Sequence, residues 1–203
     1  YPHALADHNT AIRLDPNDAR VYGDRAFTHL SMGNRNLALS DARMAIRLNP
    51  NIPQPHRIMS MILHADGNLP DALAALERIP DAKQGVRDAL WQYFLRARTG
   101  QAGARDRLEN EMSRFDVNSW PWAAVSLFLG RSEPDDVLRA ASHRHPWIQR
   151  LYRCEAEFLV AQYWLTKRQQ DMARRHFKAA INGCPAFLRE HLLSRQELSR
   201  LSN

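Results

Sequence analysis

The sequence predicts an all-α fold, a right-handed superhelical solenoid of helix-turn-helix repeats with degenerate central hairpins and a C-terminal capping helix. Three observations carry this. The stretch "AIRLDPN" at residues 11–17 returns as "AIRLNPN" at 45–51, placing Ala11 and Ala45 34 residues apart. Gly33-Asn34 and Gly67-Asn68 interrupt runs of apolar residues that recur at helical spacing, where a helix must stop and the chain turn. No alternating apolar stretch demands a strand.

The period sets a register for each element in order. Residues 1–16 read as the second helix of a truncated repeat, with Ala4, His8 and Ala11 on one face and Pro16 as the stop. Its first helix is missing, and one pair cannot bury its apolar face alone, so upstream sequence or another molecule is expected to cover it. Residues 19–52 form the next repeat: Tyr22, Arg25, Ala26 and His29 fill inward slots of the first helix, and Ala38, Ala42 and Ala45 those of the second. Residues 53–86 repeat the layout with His56, Met59, Ser60 and Leu63, then Ala72 and Leu76. Residues 154–185 do so again, with Val160, Ala161 and Trp164, then Ala173, Phe177, Ala180 and Pro185. Glu157 departs from the large aromatic slot of that repeat. This 34-residue slot pattern resembles the tetratricopeptide repeat.

Residues 87–153 read as two degenerate hairpins. Leu90, Tyr93, Phe94 and Ala97 lie at helical spacing before Gly100, and Ala104 to Phe115 forms the return helix. Ser119 is the expected N-cap of the next helix, with Pro121 in its first turn and Trp122, Val125 and Leu129 on one face. Ser132 and Asp135 have the spacing of a capping box. In the final segment, 186–203, Phe187 to Leu201 reads as the capping helix. The whole chain is expected to be a single domain.

The half that runs "NSWPWAAVSLFLGRSEPDDVLRAA" and then "CEAEFLVAQYWLTKRQQDMARRHFKAAINGCPAFLREHLLSRQELSRL" is similar to the bacterial NlpI-like tetratricopeptide proteins. The similarity is most specific from Trp120 to Leu201. It implies a lipid-anchored or soluble periplasmic adaptor, often dimeric, that holds a protease or cell-wall hydrolases and has no catalysis of its own. This chain shows no lipobox cysteine at its start and lacks the opening helices of the family's dimer contact. Anchoring and dimerisation are therefore not carried over, and a homodimer stays an open alternative.

Composition narrows the function classes. The chain has 203 residues, 44% hydrophobic and 25% charged, ordinary for a globular protein. No run is long and apolar enough for a membrane span. A net charge of +6 suits an acidic partner, but the 28 basic residues include only three lysines, an arginine bias that a GC-rich genome also produces. The arginines are interleaved with acids along the chain, which argues against nucleic acid as the partner.

No catalytic or cofactor constellation is apparent: there is no G-x-S-x-G, H-E-x-x-H, phosphate-cradling glycine loop or C-x-x-C. The chain is therefore expected to be no enzyme and to need no cofactor. His143 and His145 are two apart and lack a second cluster at a ligand spacing, so no metal is expected. Cys154 and Cys184 stand at slots 1 and 31 of the last repeat, which a helical hairpin brings together. They form either a disulfide, favouring an oxidising compartment such as the periplasm, or two buried thiols, as in a cytoplasmic protein.

Slots 2, 5, 9 and 12 of each first helix are expected to face a concave, peptide-binding groove. These are Arg20, Gly23, Phe27 and Leu30, then Gln54, Arg57, Met61 and His64, then Glu155, Phe158, Gln162 and Leu165. The set suits an extended or helical peptide with a carboxylate. The alternative occupants are the chain's own terminal helix and a second copy. The function expected is a non-catalytic scaffold in the bacterial envelope, and the alternative a cytosolic adaptor or chaperone for a secretion or regulatory system.

Overall fold

The computed structural model describes residues 1–116 and 120–202. Twelve α-helices and no strand occur among them. Where the sequence suggests one continuous domain, the chain divides into two compact units, residues 1–84 and 85–203.

The first unit holds α1 (Pro2–Leu14), α2 (Ala19–Ser31), α3 (Arg35–Leu48), α4 (Pro53–Ala65), α5 (Leu69–Glu77) and a 3-10 turn (Asp81–Lys83). Consecutive helices pack as hairpins, and the small residues of the register let them approach. Ala26, Ala38, Ala42, Ala45, Ser60 and Ala72 are all fully enclosed. Gly33 and Gly67 turn the chain with φ of 83° and 82°, a conformation that is costly for any residue with a Cβ.

The repeated "DPN" and "NPN" have a common physical cause. The backbone N–H of Asn17 donates to Asp15 Oδ1 at 3.0 Å, and that of Asn51 donates to Asn49 Oδ1 at 3.0 Å. Both are turns closed by a side-chain oxygen, which aspartate and asparagine supply equally well, and the proline between them ends the helix. A polar network ties the first three helices together. Arg25 donates twice to the buried Asp41 of α3, at 2.7 Å each, and once to Asn9 of α1 at 2.8 Å. Hydrogen bonding to Asp41 raises the Arg25 pKa above its ordinary value, against the opposing effect of burial.

The second unit holds α6 (Val86–Arg98), α7 (Ala104–Met112), α8 (Trp122–Phe128), α9 (Pro134–Ala140), α10 (Pro146–Thr166), α11 (Gln170–Gly183) and α12 (Arg189–Leu201). Its core is aromatic, with Phe94 and Phe128 edge-to-face at 4.7 Å and Trp91 beside Phe158 at 6.0 Å. The α10–α11 pair keeps the repeat's packing: Ala161, Ala173, Phe177 and Ala180 are fully enclosed. Glu157, in the aromatic slot, pairs with His176 of α11 at 2.7 Å, so a polar pair replaces the ring.

Several boundaries differ from the sequence expectation. The helix expected to open at Cys154 begins eight residues earlier, because Pro146 takes a first-turn position where its missing N–H costs nothing and Trp147, Arg150 and Leu151 keep the phase of Cys154. The cap of α9 is shifted by one residue. Glu133, not Ser132, precedes the helix, and its N–H donates to Asp136 Oδ2 at 2.8 Å, since Pro134 takes the first helical position. The helix expected from Ala104 to Phe115 ends at Met112, and the terminal one begins at Arg189 instead of Phe187. Ser119 lies outside the described residues.

Candidate functional site

The predicted ligand face has different surroundings in the two units. In the first unit, slots 2 and 9 of α2 place Arg20 exposed and Phe27 half-buried. Slots 2 and 5 of α4 place Gln54 and Arg57 half-buried. Gly23, between Arg20 and Phe27, keeps this surface low: a Cβ there would lie 3.5 Å from Pro55 Cγ of α4. Arg57 donates to the carbonyl of Lys83 at 3.5 Å, and Lys83 Nζ donates to the carbonyl of Asn51 at 2.9 Å, so the 3-10 turn is tied to α4. The remaining predicted members, Leu30, Met61 and His64, are 1%, 3% and 0% exposed and so are core instead of ligand-facing, a correction to the expected groove set. The reachable part thus combines two guanidinium groups, a phenyl ring and an amide, chemistry able to grip a carboxylate beside an apolar side chain.

In the second unit slots 2, 5 and 9 do not line an open surface, which corrects the expectation for those three residues, whereas Leu165 at slot 12 is half-buried. Glu155, Phe158 and Gln162 are buried. Glu155 accepts hydrogen bonds from Arg87 Nη2 of α6 and from Trp120 Nε1, each at 2.7 Å. Phe158 lies against Trp91 of α6. The physical reason is α6: its apolar face of Leu90, Trp91 and Phe94 is larger than α7 alone can cover, and it closes over α10 with Arg87 meeting Glu155. Hydrogen bonding to Glu155 raises the Arg87 pKa despite the opposing desolvation, and both Glu155 and Glu190 add electrostatic support. The crevice left among Arg87, Leu90, Phe94, Phe158, Leu159 and Arg189 is too small for a ligand. Gln162 is fully enclosed. Sequence reasoning could not foresee this cover, because α6 lies outside the repeat's slot pattern; the only signal was the unusual carboxylate at slot 2.

Cys154 and Cys184 face each other at the end of the α10–α11 hairpin with Cα atoms 4.9 Å apart and are joined as a disulfide. Cys184 occupies the slot that Asp15 and Asn49 hold in the earlier repeats. The helix end that a side-chain hydrogen bond closes in those repeats carries a covalent tie here. Among the described residues no group of three or more His, Cys, Asp or Glu could hold a metal ion. No described helix is long and apolar enough to cross a membrane. Of the tryptophans, Trp91 is core, Trp120, Trp122 and Trp164 are half-buried, and Trp147 is exposed.

Comparison with known proteins bears on this geometry. Over 120 residues, 59% of the chain, the sequence is 38% identical to the "Tetratricopeptide repeat and J domain-containing co-chaperone" of Cryptococcus neoformans var. grubii. Its helix pairs are tetratricopeptide-like. The matched stretch is only 22% of that relative's length, so the likeness concerns a part of a larger protein. No family model matches the chain, and the likeness to the NlpI-like proteins rests on the sequence features alone.

Proposed function

We propose that the chain is a non-catalytic protein-binding adaptor whose ligand face is the open surface of α2 and α4. The observation that carries this reading is that Arg20, Phe27, Gln54 and Arg57 stay reachable on helices whose closest-packed slots, Ala26 and Ser60, are fully enclosed. Rigid helix pairs hold that surface preformed, so a flexible segment loses less freedom on docking there than on loops. The ligand it fits is a peptide or helix with a carboxylate next to an apolar side chain. The relative's name attaches similar helices to a co-chaperone, which supports a protein partner.

The compartment is proposed to be an oxidising one, the bacterial envelope, on the strength of the Cys154–Cys184 pair and the likeness of residues 120–201 to the NlpI-like adaptors. A protease or cell-wall hydrolase is the partner class this setting favours. Affinity capture from the source organism with mass spectrometry tests both parts. An envelope protein captured by the wild type, and lost with Phe27→Ala plus Arg57→Glu, is the expected result. A cytosolic partner, or thiols that react in the unfolded protein without reductant, contradicts the compartment.

A further inference from the structure

A second surface, in the 85–203 unit, falls outside the repeat's ligand slots. Trp147 and Phe187 are the large apolar side chains most exposed among the described residues of this unit, at 45% and 47%. They come from different elements, Trp147 from the first turn of α10 and Phe187 from the segment between α11 and α12, yet their ring centroids are 6.4 Å apart. Arg150 lies 5.9 Å from the Trp147 centroid, and its Nε donates to the carbonyl of Gly183 at 2.9 Å. That bond and the Cys154–Cys184 link, three residues before Phe187, hold the two segments side by side.

The two tied segments are rich in arginine, of which Arg139, Arg174 and Arg189 pair with Asp136, Asp171 and Glu190. Between Asp136 and Glu155 the sequence has four arginines and no acidic residue, and between Asp171 and Glu190 it has three arginines, Lys178 and no acidic residue. These are the two segments that the ties join. Arg144 and Arg150 meet no carboxylate at ion-pair distance among the described residues. Half-open rings that have not been buried, with the guanidinium of Arg150 against them and meeting no carboxylate, present an apolar anchor point with a demand for negative charge. A second copy would bring like charges together. A nucleic-acid strand wants successive separate stacking platforms along a basic groove. Here the two rings lean on each other at 32° and offer one apolar spot.

We infer that Trp147, Phe187 and Arg150 form a docking site for an acidic peptide segment carrying one aromatic or large aliphatic side chain. The apolar side chain seats on the ring pair, and a carboxylate takes the outward N–H groups of Arg150. This site is separate from the α2–α4 face and stands or falls independently of it.

The test uses the full chain with its disulfide intact and fluorescence anisotropy of a labelled peptide of alternating Glu and Asp around one Phe, at low salt. Saturable binding is expected, weakening with added salt and falling ~10-fold or more in Trp147→Ala and in Phe187→Ala. Phe187 is exposed and outside any helix, so its variant keeps the fold, which circular dichroism confirms. Arg150→Gln is expected to lose most of the salt-sensitive part. The measurement is repeated in a Phe27→Ala/Arg57→Glu background, which removes the α2–α4 face as a seat for the same peptide: binding that persists there and is lost on adding Trp147→Ala belongs to this site, and binding that disappears in that background overturns the inference. Four other results overturn the inference: no saturable binding, equal binding of a peptide with Gln and Asn in place of Glu and Asp or with Phe replaced by Ser, tighter binding of a labelled oligothymidylate, or self-association that Trp147→Ala abolishes.

Discussion

On α2 and α4 the register positions that face away from the hairpin's own packing leave Arg20, Phe27, Gln54 and Arg57 within reach of solvent. On α10 Glu155 and Phe158 are enclosed beneath α6 and Gln162 is buried, while Leu165 is half-buried. The repeats are built alike inside, since slot 8 is Ala26, Ser60 or Ala161 and is fully buried each time. What differs is the cover. In the 85–203 unit an irregular helix brings its own apolar face and an arginine for Glu155, which turns a would-be ligand face into core. A repeat's inward slots are dictated by its hairpin partner, whereas its outward slots belong to whichever element arrives next.

Paired substitutions test that contrast. Phe158→Ala removes a ring that is 1% exposed and is expected to destabilise the protein by about 3–5 kcal/mol, while Phe27→Ala, half-buried, costs about 1 kcal/mol or less and shows mainly in partner capture. Denaturant unfolding of the two variants is the check, and similar costs would break the comparison. Reduction of Cys154–Cys184 removes the covalent tie at the end of the α10–α11 hairpin. On the loop-closure estimate it lowers stability by about 3–4 kcal/mol, read as the shift in unfolding midpoint with reductant. No such shift is expected from reductant in a Cys154→Ser/Cys184→Ser variant.

Smaller effects come from the turns. Gly33, Gly67 and Arg168 occupy the same slot of their repeats, and Arg168 has a φ of 59°, a left-handed conformation in a residue with a Cβ. Gly67→Ala is therefore expected to cost about 1 kcal/mol and Arg168→Gly to gain up to about 1 kcal/mol in thermal or denaturant unfolding. The smallest effect belongs to Asp136, whose pKa is held below its usual value first by the Glu133 backbone N–H and then by Arg139. A lowered carboxylate pKa stabilises the fold above the unfolded-state value and loses that contribution as pH falls through the folded-state value. Asp136→Asn should thus flatten the acid limb of the stability profile and leave the alkaline limb unchanged.

How much of this was legible in the sequence depended on whether a residue's surroundings were local. The enclosed alanines, the glycine turns and the approach of Cys154 to Cys184 follow from the 34-residue register, because both partners belong to one hairpin. The same near-copy "AIRLDPN" and "AIRLNPN" marked the helix stops, although the side-chain bonds of Asp15 and Asn49 emerge only from geometry. Proline displaced the expected starts at Cys154 and Ser132, since its preference for the first turn outweighed the slot pattern and the serine cap. The fate of Phe158 and Glu155 was not legible. It depends on α6, some 60 to 70 residues away in the chain and without a repeat slot of its own. The ring pair of Trp147 and Phe187 is likewise made by two segments that no local rule pairs.

Partner binding is proposed to reside on the open face of α2 and α4. Capture from native extract by the wild type and by the Phe27→Ala/Arg57→Glu variant, with helicity checked by circular dichroism, tests it most directly. The account predicts that the variant keeps its helical signal and loses the partner. Retention of the same partner at the wild-type level would contradict it.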